Sequence, residues 1–196
     1  MIVIVGLGNP GPQYRDTRHN IGRRAVELWS RRLKTALKNR RFQSMYVRTS
    51  HRSRDLTLIC PMTYMNLSGK AVKAWAERYR VPLDKILVIH DDLDLPTGRV
   101  KVSRSGGAGG HKGVISIMDH LGSREFPRVK IGIGRPRRGE AVEDYVLSPF
   151  YEDENEIMET ALDMAVQACE LFVSGGIESA MRRVNGQNVA DKEGKS

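Results

Sequence analysis

The chain has 196 residues, 40% of them hydrophobic and 28% charged, with a formal net charge of +9. That length fits one domain with a sizeable core, and no apolar run reaches the ~18 residues of a membrane-spanning helix. The basic excess either serves solubility alone or marks a polyanionic partner, nucleic acid ahead of a membrane surface.

In chain order, residues 2–7 (IVIVGL) read as a buried strand, being short, apolar and β-branched. The strand pattern starts at once, with no basic leader or cleavage site, so a cytoplasmic protein is expected. Turn chemistry follows in Gly8-Asn9-Pro10-Gly11-Pro12. A helix is expected from near Thr17, with Ile21, Ala25, Leu28, Trp29 and Leu33 at helical spacing. Residues 42–48 and 55–60 read as strands around a polar turn. Ser68 reads as the N-cap of a second helix whose face carries Val72, Trp75, Ala76 and Tyr79. Further strands are expected at 85–90, 98–103 and 128–134, a long helix over 151–174, and a short one ending near Val184. The polar stretch 185–196 reads as a disordered tail. The expected architecture is a single α/β domain over 1–184. It would be a three-layer sandwich, with a twisted, mixed but mostly parallel sheet and helices on both faces. Cys60 and Cys169 lack zinc-type spacing and read as free core thiols.

Three polar clusters each follow a strand: Gly8-Asn9, Thr63-Tyr64-Met65-Asn66 and His90-Asp91-Asp92. Ligands of open α/β sheets bind beyond the carboxyl ends of the strands, so parallel strands would bring all three clusters into one cleft, with His19 at its edge. A His and an Asp together suit general-base catalysis. The carboxylate accepts one imidazole N–H, and the other ring nitrogen deprotonates a water. The alternative is that His19 only closes a helix start. His51 and His120 read as surface residues. His90-Asp91-Asp92-Leu93-Asp94 admits a hard-cation site or a solvated turn. Residues 6–11 match GxGxxG, but Pro10 and Pro12 stop the helix that a dinucleotide site requires.

The loop Ser105-Gly106-Gly107-Ala108-Gly109-Gly110-His111-Lys112-Gly113 runs into a helix start, which is either a phosphate contact or a flexible rim. Basic residues gather around it in sequence, among them Lys101, Arg104, Arg128 and Arg135, a pattern that favours a phosphate backbone.

The segments VGLGNPGPQY, TRHNIG (17–22), PMTYMNLSGKAV (61–72), HDDLDLPTGRVKV (90–102), GGAGGHKG (106–113), IGIGRP (131–136) and DYVLSPF (144–150) resemble bacterial peptidyl-tRNA hydrolase, in order and over nearly the whole chain. The resemblance implies a monomeric, metal-free and cofactor-free esterase that releases tRNA from peptides dropped by the ribosome. It implies His19 as base and Asp91 as its orienter. Asn9, Tyr14, Tyr64, Met65, Asn66 and Lys112 would contact substrate, and Lys101, Arg104, Arg128 and Arg135 would contact tRNA. Lys112 departs from the pattern, which usually has Asn there. A non-catalytic RNA-binding protein on the same scaffold is the rival reading, and a dinucleotide-dependent enzyme is more distant.

Overall fold

The computed structural model describes residues 1–187. Seven strands form one sheet: β1 (Ile2–Gly6), β2 (Asn39–Arg41), β3 (Ser44–His51), β4 (Arg54–Pro61), β5 (Ile86–Asp92), β6 (Val100–Ser103) and β7 (Arg128–Gly132). Their order is β2-β3-β4-β1-β5-β7-β6. The central four, β4, β1, β5 and β7, pair in parallel, whereas the β2–β3, β3–β4 and β6–β7 pairings toward the edges are antiparallel. Helices α1 (Ile21–Arg32), α2 (Ser68–Tyr79), α3 (Lys112–Leu121), α4 (Val142–Val146) and α5 (Asn155–Asn185) complete the fold.

Alternation along the strands explains the layers. Ile2, Ile4, Leu56, Leu58, Leu87 and Ile89 pack with Trp29 of α1 and the α5 residues Ala165, Cys169 and Phe172. The intervening Val3, Val5, Ile86 and Val88 face Trp75 of α2 and Ile117 of α3. Period-2 side-chain reversal thus makes two cores from one sheet, which is the expected three-layer sandwich.

Several local readings needed correction. β3 and β4 form a tight hairpin whose turn residues Arg52 and Ser53 both have positive φ, 49° and 62°, the twist that two-residue hairpins favour. Ser68 is the first residue of α2 rather than its cap, and its hydroxyl is buried without a partner. The C-terminal helices, by contrast, are two as expected, a long one and a short one that meet at a kink at Gly176, where φ is 77° and ψ is −177°. The body extends past 184: Val102 N–H donates to Asn185 Oδ1 at 2.8 Å, and Asn185 Nδ2 donates to Val102 O at 2.9 Å. One amide thereby ties α5 to edge strand β6. The rest of the expected tail, 188–196, lies outside the described residues. Among the described residues no helix is long and apolar enough to cross a membrane.

Candidate active site

β1, β4 and β5 end side by side, and the polar clusters that follow them meet in a cleft of about 580 Å3. Asn9, His19, Tyr64, Met65, Asn66, Asp91, His111 and Lys112 all line it. Parallel pairing is the reason, because it places every carboxyl end on the same edge.

His19 reaches the cleft because α1 packs hard against β5. A side chain at Gly22 would collide with the Ile89 carbonyl oxygen, and Arg23 N–H donates to Leu7 O at 2.8 Å. Glycine at 22 therefore allows the short 3-10 turn Arg18–Asn20 to sit beside the end of β5. His19 Nδ1–H donates to Asp91, 3.0 Å from both carboxylate oxygens.

His111 meets Asp91 from the opposite side. It caps α3, with Gly113 and Val114 N–H donating to its Nδ1 at 3.1 and 3.3 Å. Nδ1 is therefore the acceptor, and Nε2 carries the proton that it donates to Asp91 Oδ1 at 2.9 Å. With both imidazoles donating to one carboxylate, His19 keeps a lone pair on Nε2, the ring atom left for chemistry. The two rings lie 4.7 Å apart, tilted by 40°.

The electrostatics agree with this proton arrangement. Burial opposes the Asp91 charge, but His19 and His111 overcome it and hold the carboxyl well below 3.8. Burial likewise pulls the His19 pKa down and Lys112 adds to that pull, yet the charge and hydrogen bond of Asp91 prevail and raise it above 6.5. His90 is fully buried with Nδ1 2.7 Å from Asp91 O, and burial together with His111 holds it well below 6.5, so it packs beneath the site as a neutral ring.

Asn9 and Asn20 clasp each other. Asn9 N–H donates to Asn20 Oδ1 at 2.8 Å, and Asn20 Nδ2 donates to Asn9 O at 3.0 Å. Met65 N–H donates to Asn9 Oδ1, also at 2.8 Å. The Asn9 amide is thus fixed oxygen-inward, with Nδ2 left to donate to a ligand. Gly113 lets α3 approach Met65, since a Cβ there would meet Met65 Sδ at 2.5 Å. Tyr64, at 59% exposure, and Asn66 form the open lip.

A wall missed in the sequence closes the far side. Short helix α4 contributes Val142, Glu143 and Val146 to the cleft, and Leu147 follows. Glu143 pairs with Lys112 across the mouth. Lys112 was expected to reach outward toward substrate. It lines the cleft with its ammonium paired to the Glu143 carboxylate, because α4 lies opposite the start of α3. His111 was also missed: its partner Asp91 is 20 residues away, and its own segment reads as a glycine loop.

Other expected contacts fall elsewhere. Tyr14 does not line the cleft; it ends a 3-10 turn and its carbonyl accepts the Thr17 N–H and hydroxyl. Arg128 is completely buried, and its guanidinium donates to Gly106 O and Gly107 O. It opens the central strand β7, so its charge holds the glycine loop from beneath instead of meeting solvent. Arg104 pairs with Glu178 beside Met1, Arg54 and Pro127, at the amino ends of the strands, because β6 runs antiparallel. Lys101 is exposed on β6 opposite Lys130. Arg135 does lie at the cleft, paired with Asp94. Of the two histidines read as surface residues, His51 is half-buried and edge-on to Trp29, and half-buried His120 donates to Ser116 O.

The acidic run 91–94 does not converge as a cation site: Asp92 pairs with Lys130 and Asp94 with Arg135. His19, Asp91 and His111 do bring donor atoms within 4.8 Å of one another. Their facing atoms already bond to one another, however, and the remaining His111 nitrogen is committed to backbone N–H groups. That geometry fits a proton-handling cluster better than a metal cage.

A buried His–Asp pair with one free imidazole nitrogen, beside a fixed amide donor on an α/β sandwich, is an arrangement suited to activating a water for hydrolysis. Comparison with known proteins gives the family. The peptidyl-tRNA hydrolase family model matches residues 3–192, and the chain belongs to this family. Peptidyl-tRNA hydrolase of Symbiobacterium thermophilum is 46% identical over 185 residues, covering 93% of this chain and 98% of the relative. That of Syntrophomonas wolfei is 44% identical, covering 94% and 100%. The crystal structure of peptidyl-tRNA hydrolase from Acinetobacter baumannii superposes with a TM-score of 0.90 at 37% identity, covering 96% of each chain.

Proposed function

We propose that this chain hydrolyses the ester bond joining a peptide to the terminal ribose of tRNA, with His19 as general base. The observation that carries the reading is the His19–Asp91 pair, 3.0 Å apart and buried, with Nε2 of His19 left open to the cleft. Water held at Nε2 attacks the ester carbonyl as His19 takes its proton, and Asp91 stabilises the resulting imidazolium. In this reading Asn9 Nδ2, with the cleft-lining Asn66 amide, donates to the oxyanion. Such a donor is typically worth about 2.7–4 kcal/mol of barrier. When the tetrahedral intermediate collapses, the proton on His19 passes to the departing ribose oxygen, leaving a free peptide acid and free tRNA.

Supporting this reading are the family membership and the net charge of +9, which suits a polyanionic substrate. Asn9, Met65 and Asn66 fit contacts to the peptide end. The protein is read as a monomer that works in the cytoplasm, without a cofactor. A binding-only protein on this scaffold would not need a polarised imidazole. Turnover of an N-acylated aminoacyl-tRNA tests the proposal. Release of free tRNA is expected, with unblocked aminoacyl-tRNA largely spared, and binding without release would contradict it.

A further inference from the structure

Arg18 stands immediately before His19 and is fully buried, an unusual place for a guanidinium unless it is heavily partnered. Its partners all come from one distant segment. Arg18 Nη1 donates to Ser148 Oγ at 2.7 Å and to Pro149 O, while Nη2 donates to Glu154 Oε2 at 2.8 Å. Tyr145 and Tyr151 hold the cation between their rings, 4.0 and 4.4 Å from their centroids. The backbone joins in: Arg18 N–H donates to Ser148 O at 3.0 Å, and Thr17 bridges to Pro149. Tyr145 also belongs to α4, the cleft wall, and donates to Ile133 O.

One side chain therefore joins the turn that presents His19 to the segment that carries the wall. We propose that Arg18 is the positioning residue of the site, setting His19 against Asp91 and at a fixed distance from the α4 wall. It touches no reacting atom and acts through the backbone of residue 19. The proposal rests on the hydrolase reading only for its kinetic test. The distance from His19 to Asp91 is a property of the folded protein with or without substrate.

The test separates positioning from plain stability. The Nδ1–H of His19 and the Nε2–H of His111 both donate to Asp91, so each should give a downfield imidazole proton resonance. The groups facing His19 are Asp91, His111 and Lys112, and none contacts Arg18 directly. In the paired variant R18M/E154Q, which leaves no buried charge unmatched, the His19 resonance should broaden or move upfield while that of His111 persists. kcat per folded molecule should fall about 10- to 100-fold, the scale of an ångström-sized misplacement, with KM changing much less. Ser148→Ala, which keeps the charges, should show the same pattern more weakly and fold normally. Folded S148A and R18M/E154Q proteins with both resonances intact and parental kcat would overturn the proposal. Loss of both resonances together would do so too, since it reports general loosening. If the parent protein itself released no tRNA, the reading of function would fail, and the resonances would still decide the role of Arg18.

Discussion

The two ends of the sheet each carry a hollow, and the smaller of the two is the one whose groups are fixed for chemistry. At the amino ends, a hollow of about 1280 Å3 is lined by Arg54, Asp55, Lys85, Arg104, Glu125 and Glu178. The cleft at the carboxyl ends encloses about 580 Å3. In the larger hollow the charges stand on solvated side chains, as in the Arg104–Glu178 pair, where both are more than half exposed. In the cleft, His19, Asp91 and His111 are all buried, the two imidazoles each donate one defined proton to the Asp91 carboxylate, and Nε2 of His19 is the ring nitrogen left free. Volume and charge count are thus poor guides to a site. What distinguishes the cleft is preorganisation: dipoles and titratable groups fixed before substrate arrives.

Substitutions at the two ends should separate accordingly. The largest effect is expected for His19→Ala, which should slow turnover by about 10²–10⁴-fold, the usual worth of a general base, with little change in tRNA affinity measured by anisotropy. Near-normal turnover would remove His19 from the chemistry. Asp91→Asn should come next, with a loss of about 10²-fold or more. An amide nitrogen facing His19 Nδ1 favours the wrong tautomer, and a measurable residue of activity should survive because the imidazole remains. Lys112→Ala should be milder. Freed from Glu143, the mouth loses a cation, so KM should rise more than kcat falls and the salt slope should drop by about one contact. Lys112→Asn should keep kcat. A collapse of kcat in both Lys112 variants, at constant KM and salt slope, would move Lys112 into the chemical step. At the far end, Arg104→Ala should leave kcat and KM within error. An effect there as large as that of Lys112→Ala would erase the contrast between the two hollows. Chelator treatment should likewise leave turnover unchanged, and loss restored by one divalent ion would revive a metal role for His19, Asp91 and His111.

Much of this was legible in the sequence because local rules and global fold agree. Residues 2–7 and 85–90 are apolar and β-branched because central parallel strands are buried on both faces, and Asn9, Met65, Asn66 and Asp91 meet because such strands end together. What was illegible is long-range. His111 looked like part of a phosphate loop, since nothing local reveals that its Nδ1 caps α3 while its Nε2 reaches Asp91. Arg128 and Arg104 were read by charge, but strand direction and burial decide where a cation points. β2, Asn39–Arg41, is exposed and lacks the alternation that marks a strand. The α4 wall is only five residues long, too short for a periodic signal. Arg18 shows the same limit, as its side-chain hydrogen-bond partners lie 130 or more residues away.

The pH dependence of kcat/KM for peptidyl-tRNA release tests the central claim most directly. His19 must be neutral at Nε2 to accept a proton, and Asp91 holds its pKa above 6.5 despite burial. Activity should therefore be low in acid and rise with pH along a single limb whose midpoint lies above 6.5. In Asp91→Asn that midpoint should move down, because the charge that raises it is gone. A rate independent of pH from about 5 to 9, or a limb unmoved by Asp91→Asn, would contradict a His19 base tuned by Asp91.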